Sequence, residues 1–595
     1  MSAAGNGVPA VEGAAIWGRL ERLLHREGHA VLMGHRDLLA LASDERVERG
    51  ECLAGLGWRG EAPPGTLNLR CQVNLSKWRR GDSLTLRSQD DDRGIAVLYE
   101  GFDAAKRVLI VRRDPYRGRG EVDETVPLQL DPTPVTLHTM ALEAIGELRQ
   151  RRDGAAEAIR AIFELRARPT IADADERFAR RCLAGDALRT LDDSQKEAFI
   201  AAVTKRPVAL IQGPPGSGKT YLLAQVVSAL AHRGERILIT AYTHRAVNNA
   251  LRKLAEVDPR CDAIKVGQVH AADDLEGTPV ASVRRAGELR PPTPGRPQVI
   301  GATLFALRGF AGKRDFDRVV FDEAAQVPLA FAPCGMAAGS RFLFVGDHRQ
   351  MGPIVQGNHD DAFARTSVFE YLSAAFEPAL LRVTYRMNDG INAFPSKAFY
   401  GEQLQPHPTV GRRRFARIEG GEFDAVLDPE LPAVLATIHH EGFRTRSAPE
   451  AHAVAALAVE MLTRQRLRPN DLAVVAPYRQ QIREIRTRLQ AALAPLGIPL
   501  PVVDTVERIQ GQEREAVIVS LTASDPEYLA LEQAAFFFSP NRLNVTLTRA
   551  RTKLVIFASG HLFRALPSSF EDLKNADLFK RLYRELPRVD LTGRY

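Results

Sequence analysis

The segment GPPGSGKT at 213–220 constrains this chain more than any other stretch, because it lies between the apolar run VALIQ and the helical pattern YLLAQVVSAL. A strand that turns through glycines straight into a helix leaves backbone N–H groups curled around whatever sits over the helix start, a cradle suited to phosphate oxygens. In Gly213, Pro214, Pro215, Gly216, Ser217, Gly218, Lys219 and Thr220 the lysine reaches the β- and γ-phosphates and the threonine hydroxyl is offered to Mg²⁺. ATP and Mg²⁺ are therefore the expected ligands, and no N-K-x-D segment of the kind that accompanies guanine specificity occurs.

A second strand ends in paired acids, VVFDEAAQ at 319–326. Asp322 is expected to hold Mg²⁺, directly or through water, and Glu323 to orient and deprotonate the attacking water. A third, RFLFVGDHRQMGPIV, ends in Gly346 and Asp347, and its Gln350 is placed to sense a γ-phosphate. These short apolar runs alternate with helical stretches from residue 186 onward, the pattern of βαβ units around a parallel sheet, and a second series (AVLATIHH, DLAVVAPY, AVIVSLTA, KLVIFASG) begins after 433. GEQLQPHPTVGRRRFARIEGGEFD reads as an exposed loop between the two series.

The front of the chain has a different period. Residues 14–45 and 135–168 are patterned as amphipathic helices, and between about 66 and 130 short β-rich runs alternate with turn signals such as RRGD and DDDRG, at spacings suited to a small all-β barrel. The expected fold class is α/β, two tandem parallel-sheet domains, the first with a P-loop, and an N-terminal small β-barrel carried on stalk helices. The expected division is 1–50 stalk helix, 51–133 barrel, 134–186 stalk helices, 187–377 first α/β domain (ATP-binding), 378–570 second α/β domain and 571–595 C-terminal helix or tail.

Five cysteines lie far apart with no C-x-x-C pair, so neither a disulfide framework nor a zinc site is signalled. No basic start is followed by an apolar core and no run of 18 apolar residues occurs, so a soluble, cytoplasmic protein is expected. A net charge of +7 permits a polyanionic partner. Aromatics are interleaved with the basic clusters KWRR (77–80) and RRDPYRGRG (112–120), which makes Trp78, Arg79, Tyr116 and Arg117 auxiliary nucleic-acid candidates.

LIQGPPGSGKT, FDEAAQVP, VGDHRQMGP, YRMNDGINAFPSKAFY, VVDTVERIQGQE and RLNVTLTRAR follow one another in the order seen in superfamily 1 helicases. The chain most resembles the 5′-to-3′ group that contains the nonsense-mediated-decay helicase, the immunoglobulin mu-binding-protein helicase and the replication helicase-nuclease. The resemblance covers roughly 190–560 as motifs and the front in pattern only. It implies an ATP-dependent helicase: two RecA-like domains with ATP between them, single-stranded DNA or RNA as partner, and a monomeric motor that translocates 5′ to 3′. A nucleic-acid-stimulated ATPase that acts as a binding switch or displaces proteins without unwinding is the alternative.

Carried over by position, Gln195 resembles the adenine-reading glutamine, Tyr385 the residue that stacks on adenine, Arg386 the γ-phosphate arginine of the second domain and Glu513 the ribose contact. Thr243, His244, Asn248, Thr303, Pro353, Tyr478, Thr505 and Gln510 fall where the family touches phosphate and sugar of the strand. Ser539-Pro540 marks a helix start before RLNVTLTRAR, and a helix there aligns Arg542, Thr546 and Arg549 against Leu543, Leu547 and Ala550. Arg549 is then expected to cross the cleft to the phosphate held by Lys219, 330 positions earlier.

Overall fold

The computed structural model describes residues 13–595 except 75, 79, 89–93, 115–117, 119, 135–136, 268–273, 311–315, 358 and 360–361. Three of the barrel candidates, Arg79, Tyr116 and Arg117, lie outside the described residues.

The long helix Ala15–Ala40 buries one stripe, Ile16, Trp17, Leu20 and Leu24. That stripe joins Ala141, Ile145, Leu148, Ile159, Ile162 and Phe163 of the helices His138–Gln150 and Gly154–Phe163, and continues into Phe363, Phe369 and Tyr371 of the first α/β domain. Each buried apolar side chain contributes about 1.5–3 kcal/mol, against about 1 kcal/mol for a hydrogen bond. Packing therefore holds the stalk in place, while the bonds from Trp17 Nε1 to Glu164 Oε1 (3.0 Å) and from Tyr371 Oη to the Phe163 carbonyl (2.5 Å) set its angle.

Between the stalk helices, six strands close into an antiparallel barrel: Leu53–Glu61, Thr66–Arg70, Ser83–Ser88, Gly94–Asp103, Val108–Arg113 and Leu128–Pro132, in the spatial order first, second, fifth, fourth, third, sixth. The alternation read in the sequence fills its interior, with Leu67 and Leu69, Leu84 and Leu86, Ile95 and Val97, Leu109 and Val111, and Leu128 and Leu130 all buried.

The first α/β domain is built on an eight-stranded parallel sheet. From one edge its strands are Ala281–Val283, Asp262–Val266, Gln298–Thr303, Ile237–Ala241, Phe316–Phe321, Gly339–Gly346, Val208–Gln212 and Ala379–Leu380. The strands at residues 262–266 and 281–283 extend this sheet past Gln298–Thr303 to its edge, in a stretch that the pattern of apolar runs did not mark. Asp262–Val266 buries Ala263, Lys265 and Val266, and its lysine and aspartate masked the β pattern. The second domain is again a parallel sheet, ordered Val502–Asp504, Leu472–Val475, Arg514–Ser520, Ala550–Ala558, Ala433–Thr437 and Arg588–Asp590.

One expectation is corrected. The segment 401–424 is not a connector between domains: it lies within the second domain, where Val410 and Phe423 are buried. Of the expected C-terminal helix or tail, the structure has a helix, Phe570–Glu585, which buries Ala576, Phe579 and Leu582 in the second core, and Arg588–Asp590 completes the sheet edge. Among the described residues no helix is long and apolar enough to cross a membrane.

Candidate functional site

In parallel α/β sheets the carboxyl ends of the strands carry the ligand-binding loops. GPPGSGKT follows Val208–Gln212 and opens the helix Lys219–His232. Gly216 and Gly218 adopt the left-handed region (φ +73° and +74°), and a Cβ on Gly218 would meet Gln195 Nε2 at 2.6 Å. Gln195 closes a capping box with Asp192 and donates from Nε2 to the Ser217 carbonyl at 3.0 Å, so it grips the loop it precedes. The second domain touches the same loop. Thr384 Oγ1 donates to the Pro215 carbonyl at 3.0 Å, the Tyr385 amide donates to the Gly216 carbonyl at 2.8 Å, and the Tyr385 phenol donates to Asp192 Oδ2 at 2.9 Å. The Tyr385 ring stacks on His407 at 4.8 Å.

Lys219 Nζ stands 3.0 Å from Glu323 Oε1. Burial pulls the lysine down, but the Glu323 and Asp322 carboxylates outweigh it and hold the ammonium above its ordinary value. Burial would raise Glu323, yet the Lys219 charge and hydrogen bond keep it low. Asp322, 2% exposed, is pushed up to about 7 by burial and then by the neighbouring Glu323 charge. Glu323 sits at φ +49°, a backbone region uncommon for glutamate, which turns its side chain out of the strand line toward Lys219. Thr220 and Asp322 together offer a hydroxyl and a buried carboxylate beside the phosphate cradle, hard oxygen donors of the kind Mg²⁺ takes, so the residues fit that ion.

The third strand end closes on the second domain. Gln350 Nε2 donates to Asp347 Oδ2 at 2.8 Å, and Arg549 Nη2 donates to Gln350 Oε1 at 3.3 Å. The helix expected through RLNVTLTRAR spans Pro540–Leu547, started by Ser539 Oγ on the Arg542 amide; it ends before Arg549, which therefore does not share a helical face with Arg542 and Thr546. Arg549 instead occupies the turn into Ala550–Ala558, 2% exposed, with Nε donating to the Val545 carbonyl at 2.9 Å. Burial, then the Arg386 charge, brings its guanidinium down to about 9, still charged at neutral pH. Arg542 is taken up by Glu507 at 2.8 Å and by the Phe536 ring. Arg386 pairs with Glu513 at 2.7 Å, and Arg551 also pairs with Glu513. Burial would raise Glu513, but the two guanidiniums hold its carboxyl at about 2. In this arrangement Glu513 anchors two arginines.

The strand candidates all lie at or after the carboxyl ends of sheet strands, yet they differ in access. Thr243 is exposed and caps the helix His244–Val257; His244, Pro353 and Gln510 are half-buried; Asn248, Thr303, Tyr478 and Thr505 are buried. Tyr478 packs against Phe536 and Phe537. Trp78 lies in the barrel loop that reaches the second domain, where Arg508 Nη2 donates to the Lys77 carbonyl at 2.8 Å. Sequence reasoning missed Glu27, on the stalk helix, which accepts from the Gln356 and Gly357 amides at 2.9 and 2.8 Å and pairs with His359, tying the stalk to the loop after Gln350. It also missed Tyr400 and Asn544, which had no signal beyond membership of recognised segments. Away from the cleft His232, Asp258 and Cys261 meet, and the bonds Asp258 accepts from Ser228, His232, Cys261 and Arg260 account for that cluster.

The chain is similar to known proteins over parts of its length. AAA-domain family models match residues 190–283 and 364–561. The DNA replication ATP-dependent helicase/nuclease of Schizosaccharomyces pombe is 27% identical over 406 residues, covering 62% of this chain and 28% of that protein. The Mus musculus counterpart is 27% identical over 453 residues, covering 68% and 40%. The chain thus spans less than half the length of these relatives. A crystal structure of arterivirus nonstructural protein 10, a helicase, is 14% identical with a TM-score of 0.37, covering 85% of this chain and 78% of that one. The two AAA-domain matches and the helicase/nuclease relatives, together with the motif series lying in order across a cleft between two parallel-sheet domains, support a superfamily 1 helicase of the group that contains the replication helicase-nuclease.

Proposed function

We propose that this protein is an ATP-dependent translocase and helicase that moves 5′ to 3′ along single-stranded nucleic acid. The observation that supports it is the composition of the cleft: Lys219 and Glu323 pair in one domain, Gln350 of that domain accepts from Arg549 of the other, and Arg386 stands beside Gly216 of the phosphate loop. A phosphate seated in the loop competes with Glu323 for the Lys219 ammonium. Released from that ion pair, Glu323 becomes a stronger base and takes the proton of the attacking water. Mg²⁺, held by Thr220 and Asp322, would neutralise charge on the β- and γ-phosphates. Arg549 and Arg386 supply positive charge from the opposite wall, so the site is complete only while the domains are apposed. Hydrolysis then loosens the apposition, and each cycle moves the strand by one step.

The relatives' names refer to DNA replication, so single-stranded DNA is the track we propose. Phosphate and sugar contacts alone do not read sequence, and none is expected to be read. ATPase stimulation by matched DNA and RNA single strands decides the track. A duplex with a 5′ overhang is expected to be unwound and one with a 3′ overhang left intact; the reverse result refutes the direction, and stimulated hydrolysis with neither unwound favours a binding switch. Lys219→Ala is expected to weaken ATP binding about 10- to 100-fold, the loss of one charge-assisted contact, as read by titration with a fluorescent nucleotide.

A further inference from the structure

We propose that Tyr400 is a positioning residue that sets Gln350 through Asp347 when the second domain closes on the first; the assignment rests on the helicase reading. Tyr400 is in the second domain, at the end of the helix Asp389–Phe399, 5% exposed, and its phenol donates to Asp347 Oδ2 of the first domain at 2.7 Å. The same carboxylate oxygen accepts from Gln350 Nε2 at 2.8 Å, while Oδ1 accepts from Gln212 Nε2, at the end of the strand that leads into the phosphate loop, at 3.2 Å. Asn544, on the helix preceding Arg549, uses its amide nitrogen twice: one bond goes to Tyr400 Oη at 2.8 Å and one crosses the cleft to the Arg349 carbonyl at 2.8 Å. Asn541 adds a bond from Nδ2 to the His348 carbonyl at 3.3 Å.

The donors run in one direction, from the Asn544 amide to the Tyr400 oxygen and from the Tyr400 hydroxyl to the carboxylate, so each bond polarises the next. Asp347 is 1% exposed, and neutral donors from both domains supply its hydrogen bonds: the Tyr400 hydroxyl from the second, and Gln350, Gln212 and the Arg349 amide (3.2 Å to Oδ1) from the first, with the Lys219 ammonium acting on it only through its charge. Opening the cleft would withdraw the Tyr400 donor and leave the carboxylate short of a partner, which gives closure a preferred register. In that register Gln350 keeps its carbonyl oxygen toward Arg549. The hydroxyl of Tyr400 thus acts on the γ-phosphate end of the site without touching the reacting atoms.

Tyr400→Phe removes one oxygen and keeps the ring. It is expected to lower kcat for strand-stimulated ATP hydrolysis about tenfold, the size of a lost bond to a buried charge, while KM for ATP stays within about twofold. Asn544→Ala is expected to show the same split, and the double variant to fall no further than the worse single, as for two members of one chain. A merely structural role would lower the thermal midpoint and leave kcat per nucleotide-binding site untouched, so turnover is normalised to sites titrated with fluorescent nucleotide. Wild-type turnover matched by Tyr400→Phe in both kcat and KM, or independent additive losses in the double variant, overturns the assignment alone. Wild-type protein that hydrolyses no ATP with any single strand overturns the helicase reading and the assignment with it.

Discussion

Glu323→Gln is expected to lower kcat for ATP hydrolysis by about 10³-fold while ATP affinity stays within a few-fold of wild type. The loss lies inside the 10²–10⁴-fold that a positioned general base supplies. Gln keeps the length and the oxygen that faces Lys219 Nζ at 3.0 Å, so the loop geometry survives. The change is electrostatic: a neutral amide no longer competes with phosphate for the ammonium, so nucleotide binding is retained or slightly tightened. Steady-state ATPase assays beside nucleotide titration separate the two effects. A Glu323→Gln protein that hydrolyses ATP at the wild-type rate would falsify the assignment of the base.

Arg549→Ala is expected to cost about 10³-fold in kcat, the lower end of what an arginine brought to a transferring phosphoryl group contributes, with a smaller change in KM. The guanidinium is fixed before any ligand arrives, by the Val545 and Gln512 carbonyls and by Thr548 Oγ1, and its remaining reach is toward Gln350. Such a charge needs no reorganisation at the moment of reaction, which is why its removal should weigh on turnover. Arg549→Lys is expected to recover little, because a single ammonium cannot hold three fixed acceptors and still face the phosphate. ATPase assays at saturating single strand test both variants. A near-normal rate for Arg549→Ala would shift the role to Arg386, which stands beside it through its bond to the Thr548 carbonyl at 2.9 Å.

Several parts of the molecule were readable along the chain, and each is governed by neighbours within a few residues. The phosphate loop follows from glycines after a buried strand, and Gly216 and Gly218 take the left-handed backbone those positions require. Leu84 and Leu86, or Leu109 and Val111, announce the barrel by alternation alone. Ser539 and Pro540 announce the helix of the arginine segment. The same local reading failed where polar residues lie in strands, as Lys265 does in the strand next to the sheet edge, and at the end of that helix, where Arg549 falls in a turn.

The partnerships belong to another level. Lys219 meets Glu323 across 104 positions, Arg549 meets Gln350 across 199, Asn544 meets Tyr400 across 144 and Glu27 meets Gly357 across 330. No propensity or periodicity encodes these distances, because they depend on how two sheets and a stalk pack against one another after each has formed. The sequence by itself determined which residues could handle a triphosphate and which elements would carry them. Only the tertiary structure decided which of those residues share a cleft, and that Asp347, buried between two domains, takes its hydrogen bonds from both.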